Sequence, residues 1–290
     1  MAQAPSEKWV MVNGLDFHYR DWGGSGQPMV LLHGLASSCH IWDMVAPILA
    51  KDYAVIALDQ RGHGESAKPT EGYDFATVTQ DVLGVIDYLE GPPPIVVGHS
   101  WGGSVALELA VRAPESLQGM AWVDGGMINA SARYDSVEDA KLEMSPPDFT
   151  GVKLEDFKER VRNRHQGGGM APGSHEVVMA NFEVLADQTI KAWLTRANHL
   201  RIIEALWDHR PVQLYKQVQC PVLIMPARQQ ADPSTQDRGQ RRMFSVGEAE
   251  EMLPNSKTVW LENSVHDVPI QRPELVAEVL KSHINDGFFG

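Results

Sequence analysis

Ser100 stands in Gly98-His99-Ser100-Trp101-Gly102-Gly103, where small residues flank a hydroxyl that could act as a nucleophile. A serine attacks a carbonyl only when a neighbouring base takes its proton, so this reading needs a histidine. His266 supplies one, in Asn263-Ser264-Val265-His266-Asp267-Val268-Pro269. The intermediate of such an attack carries an oxyanion, which needs two backbone donors. Leu31-Leu32-His33-Gly34-Leu35 ends an apolar run and turns at a glycine. The amides of Leu35 and Trp101 are therefore the candidate oxyanion donors. His33 is read chiefly as a brace for that loop, and also as a candidate for a catalytic role or for contact with substrate.

These residues sit where elements end. Apolar runs at Met29 to Leu32, Ala54 to Leu58, Ile95 to Val97, Met120 to Val123, Val222 to Met225 and Thr258 to Leu261 read as buried strands. Phe75 to Leu89, Gly102 to Val111 and Pro273 to Ile284 carry helical stripes between or after them. Strands alternating with helices predict an α/β chain with a mostly parallel central sheet and helices on both faces. Val10 to Trp22, broken by Asn13-Gly14, reads as an antiparallel hairpin at the sheet edge. Ser100 then lies on a sharp strand-to-helix turn, where the helix dipole favours developing negative charge.

The alternation stops between Met127 and Arg210, where Leu154 to Val161, Val177 to Ala186 and Ile190 to Leu206 read as helices. That block, 127–210, is the candidate lid, inserted between catalytic segments 1–126 and 211–290. Gly167-Gly168-Gly169 beside Arg160, Arg162, Arg164 and His165 is either a mobile cationic entrance or a solvated loop. Trp101, Trp193 and Trp207, with Phe182, Met127, Met170 and Met179, are candidates to line an apolar pocket beneath the lid or to form the lid's own core.

A chain of 290 residues with 43% hydrophobic content can bury one full core. Its formal net charge of -13 opposes nucleic acid as a partner, since phosphate contacts need a clustered positive field. The opening MAQAPSEKWV has no apolar signal core, and no run of roughly 18 apolar residues occurs, so a soluble, cytoplasmic protein without a membrane partner is expected. Cys39 and Cys220 are too few for a disulfide framework or a structural zinc site and read as buried inert thiols. No metal-protease helix, Walker loop or dinucleotide fingerprint appears, so no metal or organic cofactor is implied.

His33-Gly34, Asp59-Gln60-Arg61-Gly62-His63-Gly64-Glu65-Ser66, the serine turn and His266 together resemble the α/β-hydrolase superfamily over residues 8–126 and 211–286. The resemblance implies that fold, a late histidine as base, and a structural turn at Asp59 and Arg61. Dehalogenases and epoxide hydrolases of the superfamily place an aspartate where this chain has Ser100. The family's usual acid position, counted from Pro221, falls on Gln230, a departure from its pattern. Two aspartates remain open: Asp124, at a strand end before Gly125-Gly126, and Asp232, in Ala231-Asp232-Pro233. Asp124 is favoured because a strand end holds a side chain more rigidly than a loop.

The expected chemistry is acyl transfer to water on a small to medium carboxylic ester or lactone, through a Ser-His-Asp triad. Two alternatives stay open: carbon-carbon bond hydrolysis of diketone-like substrates, whose relatives often have Asn at the position of His99, and ligand reception on the same fold. Oligomeric state is not legible.

Overall fold

In a strand, successive side chains point to opposite faces, so a run apolar at every position must be covered on both. Met29 and Leu31 pack into one hydrophobic cluster, and Val30 and Leu32 into a second on the other side of the sheet. Val96 and Trp122 join Val30, whereas Ile95, Val97, Ala121 and Val123 join Leu31. The core is thus two layers divided by a sheet. The computed structural model describes residues 4–167, 169–229 and 236–290.

In chain order the strands are β1 (Ser6–Val12), β2 (Leu15–Gly23), β3 (Pro28–Leu32), β4 (Ala54–Leu58), β5 (Ile95–His99) and β6 (Gly119–Val123). There follow β7 (Phe182–Val184), β8 (Ile190–Ala192), β9 (Val222–Met225), β10 (Ala227–Arg228), β11 (Ser256–Thr258) and β12 (Leu261–Glu262). The central sheet has the order β1-β2-β4-β3-β5-β6-β9-β11. Only β2 runs against its neighbours; every pairing from β4 to β11 is parallel. The expected edge hairpin is β1-β2, turning at Asn13 and Gly14, both with positive φ.

The helices are α1 (Ala46–Leu49), α2 (Phe75–Leu89), α3 (Trp101–Arg112), α4 (Val137–Met144), α5 (Leu154–Gly167) and α6 (Ser174–Met179). After them come α7 (Arg196–Asp208), α8 (Pro211–Leu214), α9 (Gln236–Met252), α10 (Val268–Gln271) and α11 (Pro273–Asn285). Asp74 caps α2 by accepting the Thr77 amide at 2.9 Å, satisfying one of the open donors at a helix start. Residues of α2, α3 and α7 pack in the cluster with Leu32, and residues of α1, α10 and α11 in the cluster with Leu31. No helix among the described residues is long and apolar enough to cross a membrane.

Two expectations need correction. The 127–210 stretch is not helical throughout: β7 and β8 form an antiparallel hairpin within Val177–Ala186 and Ile190–Leu206. Its turn is closed by the Gln188 amide donating to the Leu185 carbonyl and by Gln188 at φ 63°. The Thr258 to Leu261 run is two elements, β11 in the central sheet and β12 paired with β10. The split turns the chain off the sheet just before the His266 loop.

Candidate active site

Parallel register brings the strand ends level. Leu32 pairs with Gly98, Gly98 with Trp122, and Val123 with Met225. The residues that follow these ends therefore meet at one rim: the His33 to Leu35 turn, Ser100 and Asp124. Binding sites in open α/β sheets form at this carboxyl edge.

Ser100 joins β5 to α3 with φ 53° and ψ -119°, a conformation non-glycine residues seldom adopt. Its neighbours make that turn possible. A Cβ on Gly98 would lie 2.3 Å from the Gly102 carbonyl oxygen, and one on Gly102 would lie 2.5 Å from that of Leu32. The Ser100 amide donates to the Val123 carbonyl at 3.2 Å, tying the turn to β6.

His266 closes the constellation. Ser100 Oγ lies 3.0 Å from His266 Nε2, and His266 Nδ1 lies 2.6 Å from Asp124 Oδ2. A carboxylate only accepts, so Nδ1 carries the proton and Nε2 is free to take one from the serine. Asp124 is buried, with φ 48° at the end of β6. Its Oδ1 accepts the Ala227 amide at 2.9 Å, and Oδ2 also accepts Arg242 Nη2 at 2.9 Å. Burial disfavours the Asp124 charge, but His266, Arg242 and the Ala227 amide outweigh it and hold the carboxyl below its ordinary value. Burial likewise draws His266 down, yet the Asp124 hydrogen bond and charge prevail and raise it above 6.5.

The Leu35 and Trp101 amides donate to no acceptor among the described residues. Trp101 begins α3, where the first amides have no intrahelical partner. His99 Nε2 donates to the His266 carbonyl at 2.9 Å, and burial together with nearby His266 pushes its imidazole down to about 4. It stays neutral beside the base.

A cavity of about 820 Å³ opens on Ser100 and His266. Its apolar wall comes from Met127, Ile128, Ala130, Tyr134 and Met144 of the 127–210 stretch and from Phe244 on α9. The polar lining includes Arg133, Arg241, Arg242 and Glu248.

The structure does not bring every candidate here. His33 is fully buried; its Nε2 accepts the Gln60 amide at 3.0 Å and its Nδ1 donates to the Gly34 carbonyl at 2.8 Å, so it braces the loop and does not line this cavity. Trp193 follows the β8 strand, near Lys68 Nζ at 4.8 Å from its ring, and does not line the cavity. Trp207 sits late in α7 and is absent from the lining too. The wall of this cavity is taken instead by residues between Met127 and Met144 and by α9. Phe182 packs instead against Phe149 and Phe157. Arg160 lies over the Phe157 ring, away from the cavity lining. The side chains of Arg164 and His165, with Gly168 and with Gln230 to Pro233 including Asp232, lie outside the described residues.

Arg242, Tyr134 and Phe244 escaped the sequence reading. For Arg242 and Phe244 the signal available was the amphipathic 236–252 stretch.

Two clusters carry metal-ligating side chains, His18-Cys39-Asp59 and His99-His266-Asp267. In the first, Asp59 accepts from His18 Nδ1 at 2.8 Å and from the Cys39 amide at 2.7 Å, and His18 Nε2 pairs with Glu7 at 2.9 Å. These contacts tie β2 to the loop after β4. In the second, both His266 nitrogens are already engaged. Arg61 makes a two-pronged ion pair with Asp81 of α2 at 2.6 and 2.9 Å. Both cysteines are free thiols, Cys39 buried and Cys220 half-buried. Burial pushes Cys39 well up and Cys220 up to about 11.

Residues 29–279 match the profile of the Alpha/beta hydrolase family. A soluble epoxide hydrolase of Corynebacterium sp. (strain C12) is 46% identical over 101 residues, 35% of each chain. The first curated relatives are matched over only about a third of their own length. The uncharacterized hydrolase YugF of Bacillus subtilis is 26% identical over 286 residues, 95% of each chain. Among solved structures, E-2-(acetamidomethylene)succinate hydrolase superposes with a TM-score of 0.77 at 20% identity, over 97% of this chain and 99% of that one. At that identity the likeness is one of fold.

Proposed function

This chain belongs to the alpha/beta hydrolase family, and from that premise we propose that it is a serine hydrolase cleaving small to medium carboxylic esters or lactones. The observation that carries the reading is the unbroken relay from Ser100 Oγ through His266 to Asp124, at 3.0 and 2.6 Å, opening on the cavity. Ser100 Oγ attacks the carbonyl carbon as His266 Nε2 takes its proton. The oxyanion is held by the Leu35 and Trp101 amides, while Asp124 stabilises the imidazolium. His266 then gives the proton to the leaving alkoxide, leaving an acyl-enzyme ester on Ser100. Water, deprotonated by the same nitrogen, releases the acid and restores the serine.

The nucleophile separates this reading from the epoxide hydrolase and dehalogenase names among the relatives. A carboxylate that opens an epoxide or displaces a halide forms an ester, which water can cleave. A serine that did so would form an ether, which this site has no means to hydrolyse. Ser100 is matched to a carbonyl substrate. The inserted stretch 127–210 serves as a lid in this reading, since Met127, Ile128, Ala130, Tyr134 and Met144 wall the cavity. The cavity volume lies in the range of small-molecule pockets.

The test is hydrolysis of nitrophenyl esters of increasing acyl length and of simple lactones, with Ser100→Ala as reference. The expected result is pre-steady-state release of nitrophenol by the native protein, and labelling of Ser100 by a fluorophosphonate that Ser100→Ala escapes. Turnover no greater than that of Ser100→Ala across the panel would overturn the assignment.

A further inference from the structure

Asp124 holds more than an imidazole. Arg242 Nη2 donates to Asp124 Oδ2 at 2.9 Å, the same oxygen that His266 Nδ1 reaches at 2.6 Å. Arg242 Nη1 donates to the Ala227 carbonyl at 2.8 Å, and the Ala227 amide returns to Asp124 Oδ1 at 2.9 Å. Aspartate, backbone and guanidinium thus close a ring. Resting on the assignment of Ser100, His266 and Asp124 as a triad, we infer that Arg242 is its positioning residue, fixing the Asp124 carboxylate and sharing the charge that faces His266.

The two ends of this contact differ in environment. The Asp124 side chain is 2% exposed and that of Arg242 25%. An uncompensated carboxylate at that depth would be costly. A guanidinium suits the role because its planar fork satisfies two acceptors and stays charged at every working pH. Arg242 rides on α9, which also carries Arg241, Phe244 and Glu248 of the cavity lining. One side chain therefore ties a wall of the cavity to the acid of the triad.

The electrostatic consequence has a definite sign. His266 is faced by the carboxylates of Asp124 and Asp267, the guanidinium of Arg242, the imidazole of His99 and the hydroxyl of Ser100. Arg133, Arg241 and Glu248 line the cavity it opens on. The carboxylates favour the imidazolium, and Arg242 opposes them. The base is thereby kept from being trapped in its protonated form, while Asp124 can still stabilise the imidazolium when it forms.

Three variants separate charge from geometry. Arg242→Gln removes the charge and is expected to move the acid limb of the kcat/KM profile up by about 0.5 to 1 pH unit. Arg242→Lys keeps the charge without the fork, so the limb stays within about 0.3 unit while kcat falls roughly three- to tenfold. Arg242→Met repeats the charge loss should the glutamine variant fold poorly. The same displacement should appear when the His266 ring is titrated by NMR in a Ser100→Ala background with and without Arg242→Gln. That measurement needs no turnover, so it fails or succeeds independently of the hydrolase assignment. An unmoved His266 titration in both charge-loss variants, with kcat unchanged in Arg242→Lys, would overturn the inference.

Discussion

Replacing Asp124 with asparagine tests the site at its least exchangeable atom. The amide side chain would keep a carbonyl for the Ala227 amide, so the β6 to β10 tie can persist. Its nitrogen, however, would stand where Oδ2 now accepts from both His266 Nδ1 and Arg242 Nη2. Two donors would then face a third. The imidazole relieves the conflict by moving its proton to Nε2, which leaves N–H pointing at Ser100 Oγ and no base there. The charge matters as well. A carboxylate and an imidazolium about 4 Å apart attract by about 4 kcal/mol at an effective dielectric near 20. The His266 side chain is 49% exposed, so solvent reduces that to about 2 to 3 kcal/mol, or roughly 30- to 150-fold in rate. With the wrong tautomer added, kcat is expected to fall between about a hundredfold and about ten thousandfold. The assay is steady-state hydrolysis of a short-chain nitrophenyl ester at pH 8, with a thermal melt to confirm folding. Asp232→Asn should leave kcat within about threefold of the native value, since the tautomer is then untouched. A folded Asp124→Asn protein losing less than about tenfold would refute the reasoning.

Two further outcomes follow from the same contacts. Gly125→Ala would place a Cβ 2.2 Å from the Ser100 carbonyl oxygen and 2.6 Å from its amide nitrogen. Neither backbone atom can rotate away, so the variant should lose about 2 kcal/mol or more of stability, or roughly a hundredfold in turnover if the Ser100 turn yields instead; a native-like melt with native turnover would contradict this. For Asp59, burial disfavours the charge, but the hydrogen bonds from His18 and from the Cys39 amide outweigh it and depress the carboxyl below its unfolded value. That contribution to stability is present above about pH 4 and is lost as the pH falls toward the folded value. Denaturant midpoints between pH 3 and 7 should therefore depend less on pH in Asp59→Asn, and an unchanged slope would count against the linkage.

Much of the central sheet was legible because the strands it needs are covered on both faces and read as continuous apolar runs, as in Met29 to Leu32 and Val222 to Met225. The serine turn was legible because crowding between β5 and α3 excludes side chains at Gly98 and Gly102. The β7-β8 hairpin was not, since strands of three residues are too short to show a two-residue period and merge with their helical flanks. Arg242 was illegible for another reason: it lies 118 positions from Asp124, and nothing local to either residue marks their pairing.

The level strand ends place Ser100, Asp124 and the cavity wall under different control. Ser100, Asp124 and the Leu35 amide follow the ends of β5, β6 and β3, whose register is set by side chains buried on both faces. A slip of one position would drive each side chain into the packed layer on the opposite face, where it does not fit. Most of the cavity wall instead belongs to the stretch after Asp124 and to α9, outside the sheet. Substitutions at Ile128, Tyr134 or Phe244 would reshape the chamber while leaving in place the strand ends that carry Ser100 and Asp124. The chain is built like a fixed tool with an exchangeable jaw, and only three positions separate Asp124 of the tool from Met127 of the jaw.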